Sequence, residues 1–313
     1  MAPSPVSAPA VFRRYAFPLG WVAFSGLMLV DIIWHAFSRV TLPLGLAGTA
    51  VLLLGPHLLL FCVRFVVRHI SRDSGRNLPM GRIMLAAEHI VLTQGFGSGL
   101  LCLIYLLATL NFPLVDAPLA AADLALGFDW RLWVGFSQEH GFLTGILRFA
   151  YNTFFLQMFL FSIVFGWKND KARLYEYIWL LAGSLLLTAL IFAFFPATGP
   201  APFYDMAEMY KTIGPALHES FAHLQALRAG TPMNFEEALT GIISFPSFHS
   251  AAAVVLAYAF RGTGWLGRSL VAVNLLMIAA TPFQGAHYLV DTLAGIALAA
   301  ALIGVRKTVF RSY

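Results

Sequence analysis

Runs of apolar residues as long as a membrane-spanning helix dominate this chain. About 59% of its 313 residues are hydrophobic and only 11% are charged, whereas soluble domains average roughly 25% charged residues. A helix needs about 20 apolar residues to cross the hydrocarbon core of a bilayer, and several runs reach that length. We therefore expect an all-α polytopic membrane protein with about eight transmembrane helices. The predicted spans cover residues 17–37, 42–67, 83–112, 142–167, 175–195, 249–260, 266–281 and 287–305.

The remaining charges indicate the orientation of the chain in the membrane. Arg and Lys concentrate at the N-terminus, between the second and third spans, after the fourth, between the sixth and seventh, and after the eighth. Short cytoplasmic loops are enriched in these residues, so all five places are predicted to be cytoplasmic. The loops 113–141 and 197–245 are net acidic and fall on the opposite side. The net charge of +5 is therefore predicted to reflect topology in the cell membrane and not nucleic-acid binding.

These patterns predict five regions. Residues 1–16 form a disordered cytoplasmic tail, and residues 17–112 form the N-terminal transmembrane helices. Residues 113–141, which include two Trp, form an outer segment at the membrane interface. Residues 142–305 form a C-terminal transmembrane domain, and residues 306–313 form a second cytoplasmic tail.

Two short polar motifs open hydrophobic runs near the C-terminal end. They are Phe245–Ser250, which reads Phe-Pro-Ser-Phe-His-Ser, and Gly285–Asp291, which reads Gly-Ala-His-Tyr-Leu-Val-Asp. His287 and Asp291 are four residues apart, so a helix brings their side chains within reach of each other. A carboxylate in that position can fix the tautomer of the imidazole and stabilise its charged form. With His249 at the same membrane face, these residues predict a phosphoryl-transfer site.

The motifs resemble those of the type 2 phosphatidic acid phosphatase (PAP2) superfamily, which carries Pro-Ser-Gly-His and His-x-x-x-Asp on neighbouring membrane helices. Here they read Pro-Ser-Phe-His at 246–249 and His-Tyr-Leu-Val-Asp at 287–291. The likeness is closer to the branch of fungal inositol-phosphorylceramide synthase and its bacterial relatives. That branch has a Phe-Pro-Thr-x-Pro-Pro type motif after a span, then Phe-Pro-Ser-Leu-His-Ser and His-Tyr-x-x-Asp. This chain has Phe-Pro-Ala-Thr-Gly-Pro at 195–200, and the resemblance covers roughly residues 140–305.

The resemblance implies a PAP2-like helical bundle and a division of roles between its polar residues. His287 would attack phosphorus and become a phosphohistidine, and Asp291 would orient it and balance its charge. His249 would protonate the leaving oxygen and then act as base for the acceptor. Ser247 and backbone N–H groups at the helix start would hold phosphate oxygens. The resemblance implies no metal and no other cofactor.

The chain departs from the phosphatase branch at the cationic positions. That branch has a Lys-x6-Arg-Pro motif, which this sequence lacks, and a Ser-Arg pair ahead of the second histidine, where this chain has Ala280 and Thr281. A replacement cation is Arg148, which lies in the fourth predicted span beside Tyr151 and Asn152. An Arg inside a membrane needs a partner. A bound phosphate and snorkelling to the interface both remain open for it.

Other polar residues in the chain admit functional and purely structural interpretations. Gln284 and Tyr288 flank His287 and are further candidates for substrate contact, although interface residues fit the same pattern. His35, His57 and His89 in the N-terminal spans could ligate haem on facing helices, but hydrogen-bonded core residues are the favoured interpretation. His223 on the long outer loop is predicted to lie on a solvated face.

The resemblance favours an enzyme that moves a phosphoryl head group to or from a phospholipid or other lipid at the extracytoplasmic face. A transferase of the inositolphosphotransferase type is the first hypothesis. A lipid phosphatase that hydrolyses a phospholipid or a polyprenyl (pyro)phosphate is the alternative, and it would share the first half-reaction. A hypothesis of another class is a non-enzymatic transporter or a haem-binding membrane subunit.

Overall fold

The chain forms an all-helical bundle in the computed structural model, as the sequence predicts. The structure describes residues 8–37, 79–206, 215–231 and 240–309, and short pieces between 55 and 69. Within these ranges every regular element is a helix. The helices are α1 (Ala8–Phe37), α2 (Met80–Ala108), α3 (Asp116–Ala125), α4 (Trp130–Glu139), α5 (Gly141–Asn152), α6 (Phe154–Trp167), α7 (Lys171–Phe194), α8 (Pro200–Phe203), α9 (Pro215–Ala229), α10 (Phe248–Ala259), α11 (Trp265–Gln284) and α12 (Leu289–Val309).

Four of the described helices, namely α2, α7, α11 and α12, are long and apolar enough to cross a membrane. Helices α5 and α6 are bent by 44° and supply a fifth crossing if they count as one broken span. Helix α10 has 12 residues, which corresponds to about 18 Å at ~1.5 Å per residue. This is shorter than the roughly 20 residues of a typical span, so α10 is one of the shorter apolar helices and the span predicted at 249–260 stays a prediction. An apolar run alone does not distinguish a crossing from a short helix buried among other helices.

The predicted number of about eight spans is therefore not confirmed over the described residues. The span predicted at 42–67 lies mostly outside them. In the first predicted span the described apolar part, Leu19–Trp34, belongs to the shorter apolar helices. Helix α1 begins at Ala8, within the segment 1–16 that we expected to be disordered, because its Ala, Val and Arg residues are compatible with a helix.

Helix α10 lies at the centre of the bundle, in contact with α6, α7, α11 and α12. Its residues Ala251, Ala252 and Ala253 are fully buried, and small side chains allow membrane helices to approach closely. Gly295 on α12 lies so near that a Cβ atom there would collide with the backbone oxygen of Ser247. The small residues thus place the two motif-bearing helices side by side.

At the end of the bundle away from the histidine motifs, ionic contacts join α7, α10 and α12. Glu176 Oε2 accepts a hydrogen bond from Arg261 Nη2 at 2.6 Å, and its Oε1 accepts one from Arg306 Nε at 2.7 Å. Tyr258 Oη also donates to Oε1, at 3.0 Å. Arg173 donates to the carbonyl oxygen of Arg261 at 2.7 Å. We call these five residues the Glu176 cluster.

The outer segment predicted at 113–141 folds into α3 and α4, which pack against the motif-bearing end of the bundle. Helix α3 contacts α12 and α8, and α4 contacts α5 and α11. Trp130 on α4 is fully buried, and its Nε1 donates to the carbonyl oxygen of Pro282 at 2.9 Å. The segment therefore belongs to the same packed unit as the two motifs.

Two histidines outside the motifs have structural partners. His89 is fully buried, with Nδ1 2.8 Å from Ser162 Oγ and Nε2 3.0 Å from the Leu174 oxygen, so both ring nitrogens are engaged and neither is left to ligate haem. The prediction of a solvated His223 is wrong. Its side chain is buried, and Nδ1 lies 3.1 Å from Tyr105 Oη, because α9 packs on α2. His57 and the side chain of His35, which we also considered as haem ligands, lie outside the described residues.

Candidate active site

The predicted contact between His287 and Asp291 is present at the start of α12. His287 Nδ1 lies 3.3 Å from Asp291 Oδ2, and both side chains are buried. The same oxygen accepts hydrogen bonds from Ser244 Oγ at 2.8 Å and from the Tyr288 backbone N–H at 3.0 Å. Because Nδ1 donates to the carboxylate, Nε2 is the nitrogen of His287 that can react.

His249, the second residue of α10, is packed between aromatic rings. The ring of Tyr151 stacks on it with centroids 4.4 Å apart, and the ring of Phe154 lies 5.3 Å away. Tyr151 is also close to the other imidazole, because both groups pack against Gly285. A Cβ added to Gly285 would lie 3.0 Å from Tyr151 Oη and 2.6 Å from His287 Cδ2. Tyr151 is therefore a neighbour of both histidines.

Ser247 is fully buried and caps α10, accepting a hydrogen bond from Ser250 N at 3.4 Å. Its own N–H donates to the carbonyl oxygen of Asp291 at 3.0 Å, which ties the two motifs together. Ser250 Oγ also lies 3.3 Å from Thr281 Oγ1, and Thr281 donates to the oxygen of Met277 at 3.0 Å. The structure thus gives Ser247 a capping role, and its contact with a phosphate stays a prediction.

Two of the predicted substrate-contact residues meet at the C-terminal end of α11. Arg148 on α5 is exposed, and its Nε donates to Gln284 Oε1 at 3.4 Å. Gln284 is the last residue of α11 and is partly buried. Asn152 is exposed at the last position of α5. An exposed guanidinium beside the motif of His287 is placed to meet an anionic group.

Tyr288, which we also predicted to contact substrate, points into the protein. It is fully buried, and its Oη donates to Asp116 Oδ1 at 3.1 Å. Burial raises the pKa of the Tyr288 hydroxyl, and the negative charge of Asp116 raises it further, so this hydroxyl stays a hydrogen-bond donor. Tyr288 follows His287 in the chain, and its hydrogen bond to Asp116 links this segment to α3.

Sequence reasoning missed two buried acids on α3, of which Asp116 is the first. Its carboxylate accepts hydrogen bonds from the backbone N–H of Thr198 at 3.0 Å and of Gly199 at 2.9 Å. Gly199 has φ +92°, a conformation that favours glycine. A Cβ there would lie 2.9 Å from the oxygen of Ala286. Asp116 therefore holds the turn after α7 against the residue that precedes His287.

Asp123 is the second missed acid, and it caps α12. Its Oδ2 accepts a hydrogen bond from Leu289 N at 2.8 Å, and its Oδ1 accepts one from Val290 N at 2.9 Å. Burial raises the pKa of the Asp123 carboxyl and the nearby charge of Asp291 adds to this, while the two N–H bonds oppose the shift. A carboxylate in this position satisfies helix N–H groups that would otherwise be unpaired.

The spacing of the two acids was a usable signal. Asp116 and Asp123 are seven residues apart in an Ala-rich stretch, so a helix places them on one face. Ser244, which donates to Asp291, had no comparable signal because it belongs to an irregular segment.

The two helix starts at the site differ in what they offer an anion. At α12, the N–H groups of residues 288–290 are bound by Asp291 and Asp123. At α10, the backbone N–H groups of Phe248 and His249 make no hydrogen bond with the described residues. Free N–H groups at a helix N-terminus attract phosphate oxygens. With one acid-paired imidazole and one aromatic-packed imidazole, the site can combine nucleophilic attack with proton transfer.

A comparison with protein families identifies the family of the chain. A family model described as the PAP2 superfamily matches residues 117–305, which is more than half of the chain. The matched region contains both histidine motifs, nearly all of α3 and the whole of α4. No curated protein and no solved structure matches the chain.

Proposed function

The chain belongs to the PAP2 superfamily, and on that premise we propose that it is a lipid phosphotransferase of the inositolphosphotransferase type. Membership of the superfamily supports a membrane enzyme with a phosphatase-type or phosphotransferase-type action on lipids. The observation that carries the proposal is the pairing of His287 with Asp291 at 3.3 Å, with His249 reached through the shared neighbour Tyr151.

In the first half-reaction Nε2 of His287 attacks the phosphorus of a phospholipid. The P–N bond forms and the P–O bond to the leaving group breaks. Protonated His249 gives its proton to the leaving oxygen, so that a neutral alcohol departs. Asp291 accepts the Nδ1–H of His287 and stabilises the positive charge that develops on the ring. The product is a phosphohistidine at His287.

In the second half-reaction His249 takes the proton of an incoming hydroxyl group. The oxygen attacks phosphorus, the P–N bond breaks, and His287 returns to its neutral form. A lipid alcohol at this step gives a new phospholipid, whereas water gives hydrolysis. Splitting one displacement into two lowers the barrier of each.

Negative charge on the transferred group needs cations or N–H donors. The N–H groups of Phe248 and His249 at the start of α10 are available for this, and the exposed guanidinium of Arg148 lies beside Gln284. We assign Arg148 as the mobile phosphate clamp, with Gln284 and Asn152 at the rim. Ser247 acts as the cap of α10, and Tyr288 acts through its hydrogen bond to Asp116.

The transferase is preferred over the phosphatase because of Thr281. This residue occupies the position of the phosphatase-branch arginine, and it is buried in a hydroxyl network between α10 and α11. At this one position neutral groups stand where the phosphatase branch has a cation for a free phosphate monoester, and Arg148 as the single assigned cation suits a diester donor and a lipid-alcohol acceptor. This is the branch to which the motifs at 195–200 and 245–250 are similar.

We further propose that the site faces the extracytoplasmic side of the cell membrane. The Glu176 cluster and the exposed Lys307 lie at the opposite end of the bundle, and basic residues favour the cytoplasm. In this arrangement residues 142–305 form the catalytic domain, and 113–141 cover its outer end.

The test is turnover of a panel of labelled phospholipids, with and without ceramide or another lipid alcohol. We expect a new labelled phospholipid that depends on the alcohol, whereas release of free phosphate in its place would identify a phosphatase. His287→Ala and His249→Ala are each expected to abolish turnover. His140→Ala, at an exposed histidine after α4, is the matched control and should keep it. Unaltered turnover in either motif variant refutes the assignment.

A further inference from the structure

Helix α3 bonds the surroundings of His287 through two buried carboxylates, Asp116 on the turn at 198–199 and on the Tyr288 hydroxyl, and Asp123 on the backbone that follows His287. Asp116 is 5% exposed and Asp123 is 1% exposed. Buried carboxylates are rare unless their oxygens are paired, and here the partners are N–H and O–H groups. Asp116 takes Thr198, Gly199 and Tyr288, while Asp123 takes Leu289 and Val290.

These bonds restrain a short and unusual piece of backbone. Ala286 has φ +47°, which is uncommon for a residue with a Cβ and persists only where the surroundings enforce it. Its oxygen lies close to Gly199, which Asp116 holds from the other side. His287 follows directly, and α12 begins two residues later, where Asp123 caps it. His287 therefore lies between the turn at Gly199 and the start of α12, and α3 holds both through hydrogen bonds.

The same bonds occupy the start of α12. Three successive N–H groups, those of Tyr288, Leu289 and Val290, all donate to protein carboxylates. These three N–H donors are therefore not offered to a phosphate at this helix end, and repulsion by two acids adds to its exclusion.

We propose that Asp116 and Asp123 are positioning residues, which hold His287 in line for attack and keep the substrate phosphate away from the start of α12. This rests on the proposed phosphoryl transfer at His287. The two acids do not touch substrate in this account, and they act through the backbone at 286–290 and through Tyr288.

The kinetic test uses Asp116→Asn and Asp123→Asn, which keep the side-chain shape and remove the charge and one acceptor. A misplacement of about 1 Å can cost on the order of 100-fold in rate. We expect kcat to fall about 10-fold to 100-fold, by the same misplacement argument, with KM nearly unchanged. Asp123→Glu, which keeps a carboxylate, should recover part of the loss.

The matched control is Asp170→Asn. Asp170 also caps a spanning helix, since it accepts a hydrogen bond from Arg173 N at 3.1 Å, but it lies at the far end of α7. A purely structural role for Asp123 predicts that the two Asn variants lower the melting temperature alike and leave kcat alike. The proposal predicts that only the α3 variants lose kcat, and equal kcat values overturn it.

A second readout does not need turnover. Diethyl pyrocarbonate labels unprotonated imidazoles, and mass spectrometry gives the labelling rate of each histidine in the full-length protein. We expect the rate at His287 to rise several-fold in Asp116→Asn and Asp123→Asn and to stay unchanged in Asp170→Asn. Where an Asn variant does not fold, Tyr288→Phe removes only the hydroxyl bond to Asp116 and should raise the rate by less.

The outcomes separate the two proposals. Labelling that shifts in a protein without lipid turnover keeps the positioning role and rejects the phosphotransferase. Turnover with unchanged kcat and unchanged His287 labelling in the α3 variants keeps the phosphotransferase and rejects the positioning role.

Discussion

The two ends of helices α10 and α12 use acidic side chains in opposite ways. At the end away from the histidines, Glu176 is held by Arg261 and Arg306. At the histidine end, Asp116 and Asp123 are held by backbone N–H groups and a hydroxyl. Long arginine side chains tolerate small movements of the helices they join, whereas an N–H bond fixes the backbone itself.

The comparison teaches where charge is neutralised and where it is kept. In the Glu176 cluster the carboxylate is paired with two arginines, which joins three helices and contributes to stability. Around His287 the carboxylates keep their charge and use it to orient groups, and the nearby cation, Arg148, remains exposed. Changes at the histidine end should therefore act on the rate, and changes in the Glu176 cluster should act on the stability.

The largest effect is expected at Gly295, where α12 packs directly against the start of α10. Gly295→Ala puts a Cβ against the backbone oxygen of Ser247, so α10 must move away from α12 and the histidines must separate. We expect turnover to fall by about 100-fold or more and stability to fall by about 1–3 kcal/mol. Kinetic assays measure the change in turnover, and melting curves in detergent measure the change in stability.

Gly304→Ala on the same helix is the control for that change, because a Cβ there would touch no atom of the described residues within 4 Å. It should leave turnover and melting temperature close to the wild type. A Gly295→Ala protein with normal turnover would show that close contact between α10 and α12 is not needed for the site.

A smaller effect is expected from removing the exposed cation at the site. Arg148→Gln should raise KM for the phospholipid by about 10-fold to 100-fold, since a hydrogen bond to a charged group contributes about 1.5–3 kcal/mol. Arg148→Lys keeps the charge but not the fork of donors, so its KM should lie between the two. Steady-state kinetics gives both KM values, with the substrate that the panel of labelled phospholipids identifies.

Arg131→Gln provides the comparison for Arg148, because Arg131 is exposed and pairs with Asp129 at 2.9 Å on α4. Its KM should match that of the wild type. Equal KM values for Arg148→Gln and Arg131→Gln would assign Arg148 to the membrane interface instead of the phosphate.

The smallest effect on the rate is expected from the Glu176 cluster. Glu176→Gln removes the carboxylate that joins α7, α10 and α12, and we expect a stability loss on the order of 1–3 kcal/mol because the pair is partly exposed. The value of kcat should change by less than about twofold, because the site keeps its geometry. A drop in kcat comparable to that of the α3 variants would remove the distinction between the two ends.

Local spacing predicted part of this arrangement correctly. His287 and Asp291 are four residues apart, and their predicted contact is present, although His287 lies in the segment before α12 and not in the helix itself. The all-α membrane class and the PAP2 superfamily membership are likewise confirmed. The bounds of α10 were predicted to within one residue, but its apolar run did not show that neighbouring helices bury it.

The sequence alone did not predict the contacts between distant parts of the chain. Tyr288 meets Asp116 across 172 residues, and a single chain gives no pattern that links them. Tyr151 was predicted near the site for its position beside Arg148, but its stacking on His249 depends on how α5 packs against the bundle. Asp116 and Asp123 were taken only as loop charges, since a net-charge argument does not distinguish buried from exposed acids.

The most direct test of the account is to trap the covalent intermediate. The protein is mixed with phospholipid labelled in its phosphorus, quenched rapidly in alkali, where a phosphohistidine survives, and digested for mass spectrometry. The account predicts an acid-labile phosphoryl-containing group on His287 in the wild type and none in His287→Ala. A wild-type enzyme that turns over lipid with the group on another residue, or with no group at all, would contradict it.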